Sequence, residues 1–145
     1  KEEFNPILIV ETQGSYLTCI EEDISILDEF VDELVLSPKP PSSGMRATQE
    51  VWRRYAHVFG PRLSWKVVIF DEIDFEFAAN VYNELSSQNQ RFYLSVGTAT
   101  TGDPIDAVLD KYRWLVEKWL SSGKMSDAIV LPQLHVLVWG RHKGV

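Results

Sequence analysis

The sequence predicts an α/β fold built around a parallel β-sheet. Short apolar runs alternate along the chain with segments whose apolar residues recur at helical spacing. This alternation is typical of βαβ units, whose parallel strands are buried on both faces and therefore appear as nearly continuous apolar runs. A length of 145 residues fits one domain with a sizeable hydrophobic core.

Five segments are predicted to form the strands. They are "ILIV" (7–10), "ELVL" (33–36), "WKVVIF" (65–70), "RFYLSV" (91–96) and "AIVLP" (128–132). The first is wholly apolar, which indicates a strand buried on both faces. The third is rich in β-branched and aromatic residues but contains Lys66. That lysine points either into a polar barrel interior or out past a sheet edge, and the sequence leaves both open.

Helices are predicted between the strands, at 20–33, 46–59 and 71–85, and from Pro104 up to "SSGK" (121–124). The expected apolar stripes are Ile24, Leu27, Phe30 and Val31; Val51, Trp52, Tyr55 and Phe59; Ile73, Phe77, Val81 and Leu85; and Ile105, Val108, Leu109, Tyr112, Leu115, Val116, Trp119 and Leu120. Asp103 is the expected N-cap of the last helix and Pro104 its first residue. "QLHVLVW" (133–139) fits a helix or a strand equally well.

Composition excludes several classes of protein. A net charge of −7 argues against a general binder of nucleic-acid phosphates. The one cysteine, Cys19, can form neither an internal disulfide nor a cysteine-ligated cluster, and it fits a reducing cytoplasm. Cys19, His57 and His142 lack the spacing of zinc ligands, so no metal site is expected. No apolar run approaches the ~20 residues of a membrane span.

The carboxyl ends of parallel strands are where ligands bind in such folds. This rule selects five segments, namely Glu11 to Gly14, Ser37 to Lys39, Phe70 with Asp71, Ser95 to Thr98, and Gln133 with His135.

Ser37-Pro38-Lys39 is the strongest of these candidates. Prolines fix φ and lower the entropy of the loop, so the lysine ammonium can be aimed at a carboxylate or phosphate. The alternative is a rigid turn with a solvated lysine. For Glu11 and Thr12 a structural role is as plausible as a ligand role. His135 is by itself more typical of a core or capping histidine than of a ligand contact.

Several segments together resemble one enzyme family. "VETQGS", "LVLSPKPPSSGM", "WKVVIFDEIDFEFA", "FYLSVG" and "LPQLHVLVWGRHKGV" occur in this order. The chain is similar in them to the 7-carboxy-7-deazaguanine synthases of the Gram-positive branch, from about residue 7 to residue 145. These are radical S-adenosylmethionine enzymes of queuosine precursor synthesis.

The resemblance implies a fold and an activity. The fold is a partial TIM-like barrel, of which this chain resembles the later strands. The family converts 6-carboxytetrahydropterin to 7-carboxy-7-deazaguanine with loss of ammonia. A 4Fe-4S cluster cleaves S-adenosylmethionine reductively, the deoxyadenosyl radical abstracts and later returns a substrate hydrogen, and magnesium assists.

The resemblance also implies roles for individual residues. Ser37, Pro38 and Lys39 match family contacts to S-adenosylmethionine. Ser95, Val96, Gly97 and Thr98 match a second such segment, although relatives usually carry glutamine where this chain has Ser95. His135 and the carboxylate of Val145 match contacts to the pterin substrate.

Other family features are absent from the sequence. The three cluster cysteines, the Gly-Gly-Glu/Asn-Pro segment and the magnesium-binding hydroxyl do not occur in these 145 residues. The chain also lacks an initiating methionine and enters "ILIV" after six residues. We therefore expect residues 1–145 to be the C-terminal part of a cytoplasmic enzyme, inactive alone and ending at the family C-terminus. The family reductase partner, usually a flavodoxin, cannot be inferred from these residues.

The sequence also leaves two alternative functions open and predicts one mode of self-association. The chain could be a non-catalytic α/β domain that binds a small anion through Lys39 and His135, with no open sheet edge. It could also be a structural interaction module. A half-barrel would leave an unpaired strand, expected at "ILIV", and such an edge favours a homodimer or other self-association. Neither nucleic acid nor membrane is expected as a partner.

Overall fold

The computed structural model describes residues 6–14, 20–45, 48–97 and 104–139, with the side chains of 20–23 left aside. Five parallel strands form one sheet in the order β1-β2-β3-β4-β5. They are β1 (Ile9–Thr12), β2 (Glu33–Leu36), β3 (Leu63–Ile69), β4 (Arg91–Val96) and β5 (Ile129–Leu131). The predicted α/β fold with a parallel sheet is confirmed.

Five α-helices connect or follow the strands: α1 (Ile20–Phe30), α2 (Gln49–Phe59), α3 (Glu72–Leu85), α4 (Ile105–Ser122) and α5 (Leu134–Trp139). Because the strands lie in chain order, every crossover advances in the same direction. Crossovers between parallel strands are nearly always right-handed, so successive helices stack on the same face of the sheet. This is the topology of an arc of a βα barrel, whereas a doubly wound sheet reverses direction at a switch point.

The hydrophobic core lies between the sheet and helices α1 to α4. Alternate residues of β3 point into it, and Leu63, Trp65, Val67 and Ile69 are fully buried. They belong to one cluster with helix residues that include Ile24, Trp52, Tyr55, Phe75, Ala78 and Leu115. The remaining residues of β3, Ser64, Lys66 and Val68, point to the opposite face and are only half-buried. We call this second surface the open face of the sheet.

The strand predictions were largely right, with differences at the first and third strands and at β5, which is one residue shorter at each end than predicted. β2 and β4 have the predicted bounds, whereas β3 begins two residues before the predicted start at Trp65. β1 begins at Ile9, and Ile7, Leu8 and Ile9 are all exposed, so the prediction of a doubly buried strand was wrong. β1 is an edge strand of the described sheet, in agreement with the expectation that a half-barrel leaves an open edge at "ILIV".

The buried apolar stripes of the helices were predicted less well than the strands. In α3, Ile73 is 65% exposed while Asp74 and Phe75 are fully buried, because the first turn of α3 packs against the loop after β2. In α1, Phe30 is 63% exposed. In α4 only Val108 and Leu115 are buried, since this helix packs mainly on β4.

Three further predictions concern the two ends of α4 and residues 133–139. Pro104 occupies the N-cap position rather than the first helical position, and Asp103 lies outside the described residues. Gly123, in the left-handed conformation at φ 63°, ends the helix at "SSGK". The ambiguous "QLHVLVW" forms α5, whose first turn closes through Val136 N and Leu137 N, both donating to the carbonyl of Gln133.

Candidate ligand site at the carboxyl edge of the sheet

The carboxyl ends of β1 to β5 lie at one edge of the sheet because all five strands are parallel. Ser37 follows β2 directly, and Ser95 and Val96 end β4, with Gly97 next. β3 separates β2 from β4, so the two segments are about 10 Å apart at the usual spacing of strands. The structure thus brings together two of the segments that the sequence selected.

The Ser37-Pro38-Lys39 segment is held rigidly at this edge. Ser37 is 2% exposed, and its N–H donates to the carbonyl of Thr12 at 2.7 Å. Pro38 and Pro40 are buried, whereas Lys39 between them is half-exposed. Lys39 thus lies between two buried prolines at this edge, and its role as a ligand contact stays a prediction.

The Ser95–Gly97 segment is buried throughout. Ser95 is 4% exposed, and the N–H of Gly97 donates to the carbonyl of Ile69 at 2.7 Å, which extends the β3–β4 pairing. A Cβ built on Gly97 would lie 2.6 Å from the Phe70 ring, so a larger residue there would require the ring to move. Thr98, predicted in the same segment, lies outside the described residues.

The loop after β1 is shaped by a glycine and a threonine. Thr12 Oγ1 accepts a hydrogen bond from Gly14 N at 3.2 Å, and Gly14 adopts φ +62°. A Cβ on Gly14 would lie 2.6 Å from Leu36 Cδ1, so the close approach of the loop to β2 also requires glycine. The buried Nε1 of Trp52 is near this position and has no hydrogen-bond partner among the residues that the structure describes.

Lys66 points into the open face and forms an ion pair there. Its Nζ lies 3.0 Å from both Oε1 and Oε2 of Glu11, across β2. The sequence left open whether Lys66 faces a polar interior or an edge, and the structure places it on the open face. Glu11, which the strand-end rule selected, is its partner.

His135 lies in the first turn of α5, after β5, and its side chain is exposed. Because β5 neighbours β4, His135 follows the strand next to the Ser95–Gly97 segment. Val145 lies outside the described residues, as do Cys19 and His142. The substrate contacts that the family resemblance implies therefore stay predictions.

Asp74 is a residue of this region that the sequence reasoning missed. It is fully buried, and its carboxylate accepts hydrogen bonds from Ser42 N (3.2 Å), Ser42 Oγ (2.6 Å) and Phe70 N (3.0 Å). Asp71 is the N-cap of α3, and its Oδ1 accepts from Asp74 N at 3.0 Å. The sequence signal that could have identified Asp74 is therefore this pair of aspartates, three residues apart at the start of a helix.

Among the described residues, no group of three or more His, Cys, Asp or Glu side chains is arranged to hold a metal ion. In the same part of the chain, none of the helices has the length and apolar character needed to cross a bilayer.

The fold defines a class: a parallel βα sheet compatible with an arc of a TIM-like barrel, a fold in which ligands bind at the carboxyl ends of the strands. A scan against models of protein families finds no match. Comparison with curated proteins finds 7-carboxy-7-deazaguanine synthases of Bacillus cereus, 42% identical over 148 residues, and of Bacillus subtilis strain 168, 38% identical over 152 residues.

These matches cover 96% and 94% of this chain but only 61% and 56% of the relatives. The chain thus spans about three fifths of the length of the curated proteins that it matches. The predicted relationship to the 7-carboxy-7-deazaguanine synthases is confirmed, and the chain corresponds to part of such a sequence. That it corresponds to the C-terminal part stays a prediction.

Proposed function

We propose that this chain is the later, ligand-binding part of a 7-carboxy-7-deazaguanine synthase with a radical S-adenosylmethionine partial barrel. The observation that carries the proposal is the 42% identity to such a synthase along 96% of the chain. The strand order supports it, because five parallel strands in sequence form the arc that such a barrel requires.

The complete enzyme would convert 6-carboxy-5,6,7,8-tetrahydropterin to 7-carboxy-7-deazaguanine and ammonia. Bound S-adenosylmethionine, with a 4Fe-4S cluster and magnesium, would supply the hydrogen-atom abstraction that starts the ring contraction. The chain's own residues would bind and orient the two small molecules at the carboxyl edge.

Lys39 and Ser37 are proposed to contact S-adenosylmethionine. The half-exposed ammonium of Lys39 suits the carboxylate of the methionine moiety, and the fixed Pro38 and Pro40 keep it in place at little entropic cost. Ser95, Val96, Gly97 and Thr98 are proposed as the second contact segment. His135 and the carboxylate of Val145 are proposed to hold the pterin.

The chain does not fit the cluster. Three thiolates are needed in the family, and the sequence contains one cysteine, Cys19. The cluster-binding part would therefore belong to the remaining length seen in the relatives, and residues 1–145 alone would be inactive. A cytoplasmic location fits the single cysteine and a biosynthetic reaction.

The test uses the complete synthase that contains this chain. Replacement of Lys39 by Met is expected to weaken S-adenosylmethionine binding by about 10- to 100-fold, the range for losing a charge-assisted contact. Lys124→Met is the matched control, because Lys124 follows α4, away from the loops after the strands, and pairs with Glu76. Equal affinities for the two variants would contradict the assignment of Lys39.

A second experiment addresses the need for the rest of the enzyme. After treatment with iron and sulfide, residues 1–145 are expected to show no cluster absorbance and to form no 5′-deoxyadenosine, whereas the complete enzyme does both. Cluster absorbance or 5′-deoxyadenosine formation by residues 1–145 would refute the proposal that another part of the enzyme binds the cluster. A non-catalytic anion-binding domain is not favoured, because both relatives are named as synthases.

We further propose self-association of the isolated chain through the β1 edge. Ile7, Leu8 and Ile9 are 73%, 47% and 55% exposed beside unpaired backbone on that edge of the described sheet. Light scattering at rising protein concentration should show dimers or larger species. A monomer at all concentrations would contradict this.

A further inference from the structure

Asp74 is a charged group in an unusual environment. It is fully buried, yet the hydrogen bonds described above come from neutral donors, two of them on Ser42 and one on the backbone of Phe70. A buried carboxylate is costly unless several donors satisfy it. Such a group fixes the relative positions of the segments that supply those donors.

The segments that Asp74 joins are distant in sequence. Ser42 belongs to the short 3₁₀ turn Pro41–Ser43 after β2, Phe70 follows β3, and Asp74 lies in the first turn of α3. Ser42 is 32 residues from Asp74. The carboxylate thus attaches the loop after β2 to the end of the neighbouring strand.

The same loop is anchored at its other end. Ser37 N donates to the carbonyl of Thr12, and Ser42 is held by Asp74. Between these anchors Pro38 and Pro40 are buried, and Lys39 is half-exposed. Ser43 adds a local bond, since its Oγ donates to the carbonyl of Pro40 at 2.7 Å. Lys39 is therefore in the middle of a short segment fixed at both ends, which we call the strap (residues 37–42).

We propose that Asp74, acting through Ser42, is a positioning residue that holds the strap and thereby places Lys39 at the ligand site. This inference rests on the proposed function, in which Lys39 contacts S-adenosylmethionine. Neither Asp74 nor Ser42 would contact the ligand. Their effect would reach it through the backbone between Ser42 and Lys39.

The donors supplied by Ser42 and Phe70 explain why position 74 is an aspartate rather than an asparagine. Two carboxylate oxygens accept three hydrogen bonds, and neither needs to donate. An asparagine would turn one NH₂ group toward donors on Ser42 or Phe70 and leave them unpaired. Ser42 contributes both a backbone N–H and a hydroxyl, so Ser42→Ala removes one bond and keeps the other.

The experiment is a double-mutant cycle in the complete synthase, with Ser42→Ala, Lys39→Met and both together. Affinity for S-adenosylmethionine is measured by calorimetry well below the unfolding temperature. Loss of one buried hydrogen bond corresponds to about a 3- to 10-fold effect, so Ser42→Ala should weaken binding by that factor when Lys39 is present. In the Lys39→Met background it should have no effect, because the group it positions is gone.

Three comparisons exclude a merely structural role. Ser42→Thr retains the hydroxyl and is expected to restore the affinity. Gln90→Leu removes buried hydrogen bonds to Trp65 and Gly60, a loss of stability that touches no bond to the strap, and should leave the affinity unchanged. Hydrogen exchange at the amides of 42–45 should accelerate in Ser42→Ala and Asp74→Asn but not in Gln90→Leu.

The outcomes separate the two proposals. If Lys39→Met weakens binding and Ser42→Ala does not, the positioning role of Asp74 and Ser42 is overturned while the function stands. If Lys39→Met has no effect, the Lys39 contact and with it this inference are overturned. An equal effect of Ser42→Ala in both backgrounds would show that Ser42 acts on the site by another route.

Discussion

Lys66 Nζ is equidistant, at 3.0 Å, from the two carboxylate oxygens of Glu11, although the two residues belong to strands that are separated by β2. Lys66 and Glu11 both point to the open face, while the neighbouring residues of β3 point into the core. The ion pair therefore lies on the face of the sheet that would line the interior of a closed barrel.

The ion pair is expected to add little stability in this chain. The side chains of Lys66 and Glu11 are 32% and 50% exposed, so a double-mutant cycle with Lys66→Met and Glu11→Gln should give a coupling below about 1 kcal/mol. Urea denaturation at low and high salt measures it, and the coupling should shrink as salt rises. A larger, salt-independent coupling would mean that another segment covers the open face.

Gln90 is expected to be a strong determinant of stability. It is buried; its Oε1 accepts from Trp65 Nε1 at 2.8 Å, and its Nε2 donates to the carbonyl of Gly60 at 2.8 Å. Gln90→Leu removes the acceptor of Trp65 Nε1 and of Ser87 N, and leaves the Gly60 carbonyl with the N–H of Leu63, so it should lower the free energy of unfolding by about 2–4 kcal/mol. Chemical denaturation measures this. Gln88→Leu, at an exposed position, is the control, and equal effects would contradict the role of Gln90.

Gly97→Ala is expected to disturb the end of β4. The new Cβ would lie 2.6 Å from the Phe70 ring, so the ring must move, at a cost of about 1–3 kcal/mol for overpacking. Phe70→Leu in the same chain should recover part of that loss because a smaller side chain makes room. Thermal unfolding of both single variants and the double variant tests this, and strict additivity would contradict a direct clash.

The hydrogen bond from Tyr82 to Asp127 is expected to make stability depend on alkaline pH. Tyr82 Oη donates to Asp127 Oδ1, and this bond raises the pKa of Tyr82 above its usual value. A group whose pKa is raised by folding contributes stability that is complete below its unfolded pKa, about 10 for tyrosine, and is lost as pH rises through the folded pKa.

The measurement compares the wild type with Tyr82→Phe, which retains the ring packing on Phe92. The wild type should be more stable by about 0.5–1 kcal/mol near neutral pH, because the bond is solvent-exposed. Denaturation midpoints should converge above pH ~10. Asp127→Asn retains an acceptor without the charge and should show a smaller pH dependence. A constant gap between wild type and Tyr82→Phe at all pH values would contradict the assignment.

Local patterns in the sequence were sufficient to predict several elements of the fold. The bounds of β2 and β4, the helical end at Gly123 and the order of parallel βα units follow from apolar runs, turn residues and helical periodicity. The stiffness of Ser37-Pro38-Lys39 also follows from its prolines. These features are encoded within a few residues of one another.

Which side chains are covered depends instead on the tertiary structure. Ile7–Ile9 are apolar but exposed because β1 is at the sheet edge, and Asp74 is charged but buried because Ser42, 32 residues away, supplies two of its donors. Lys66 pairs with Glu11 across 55 residues. Burial and pairing over such separations depend on how strands and loops assemble, and no short-range pattern in the sequence records that assembly.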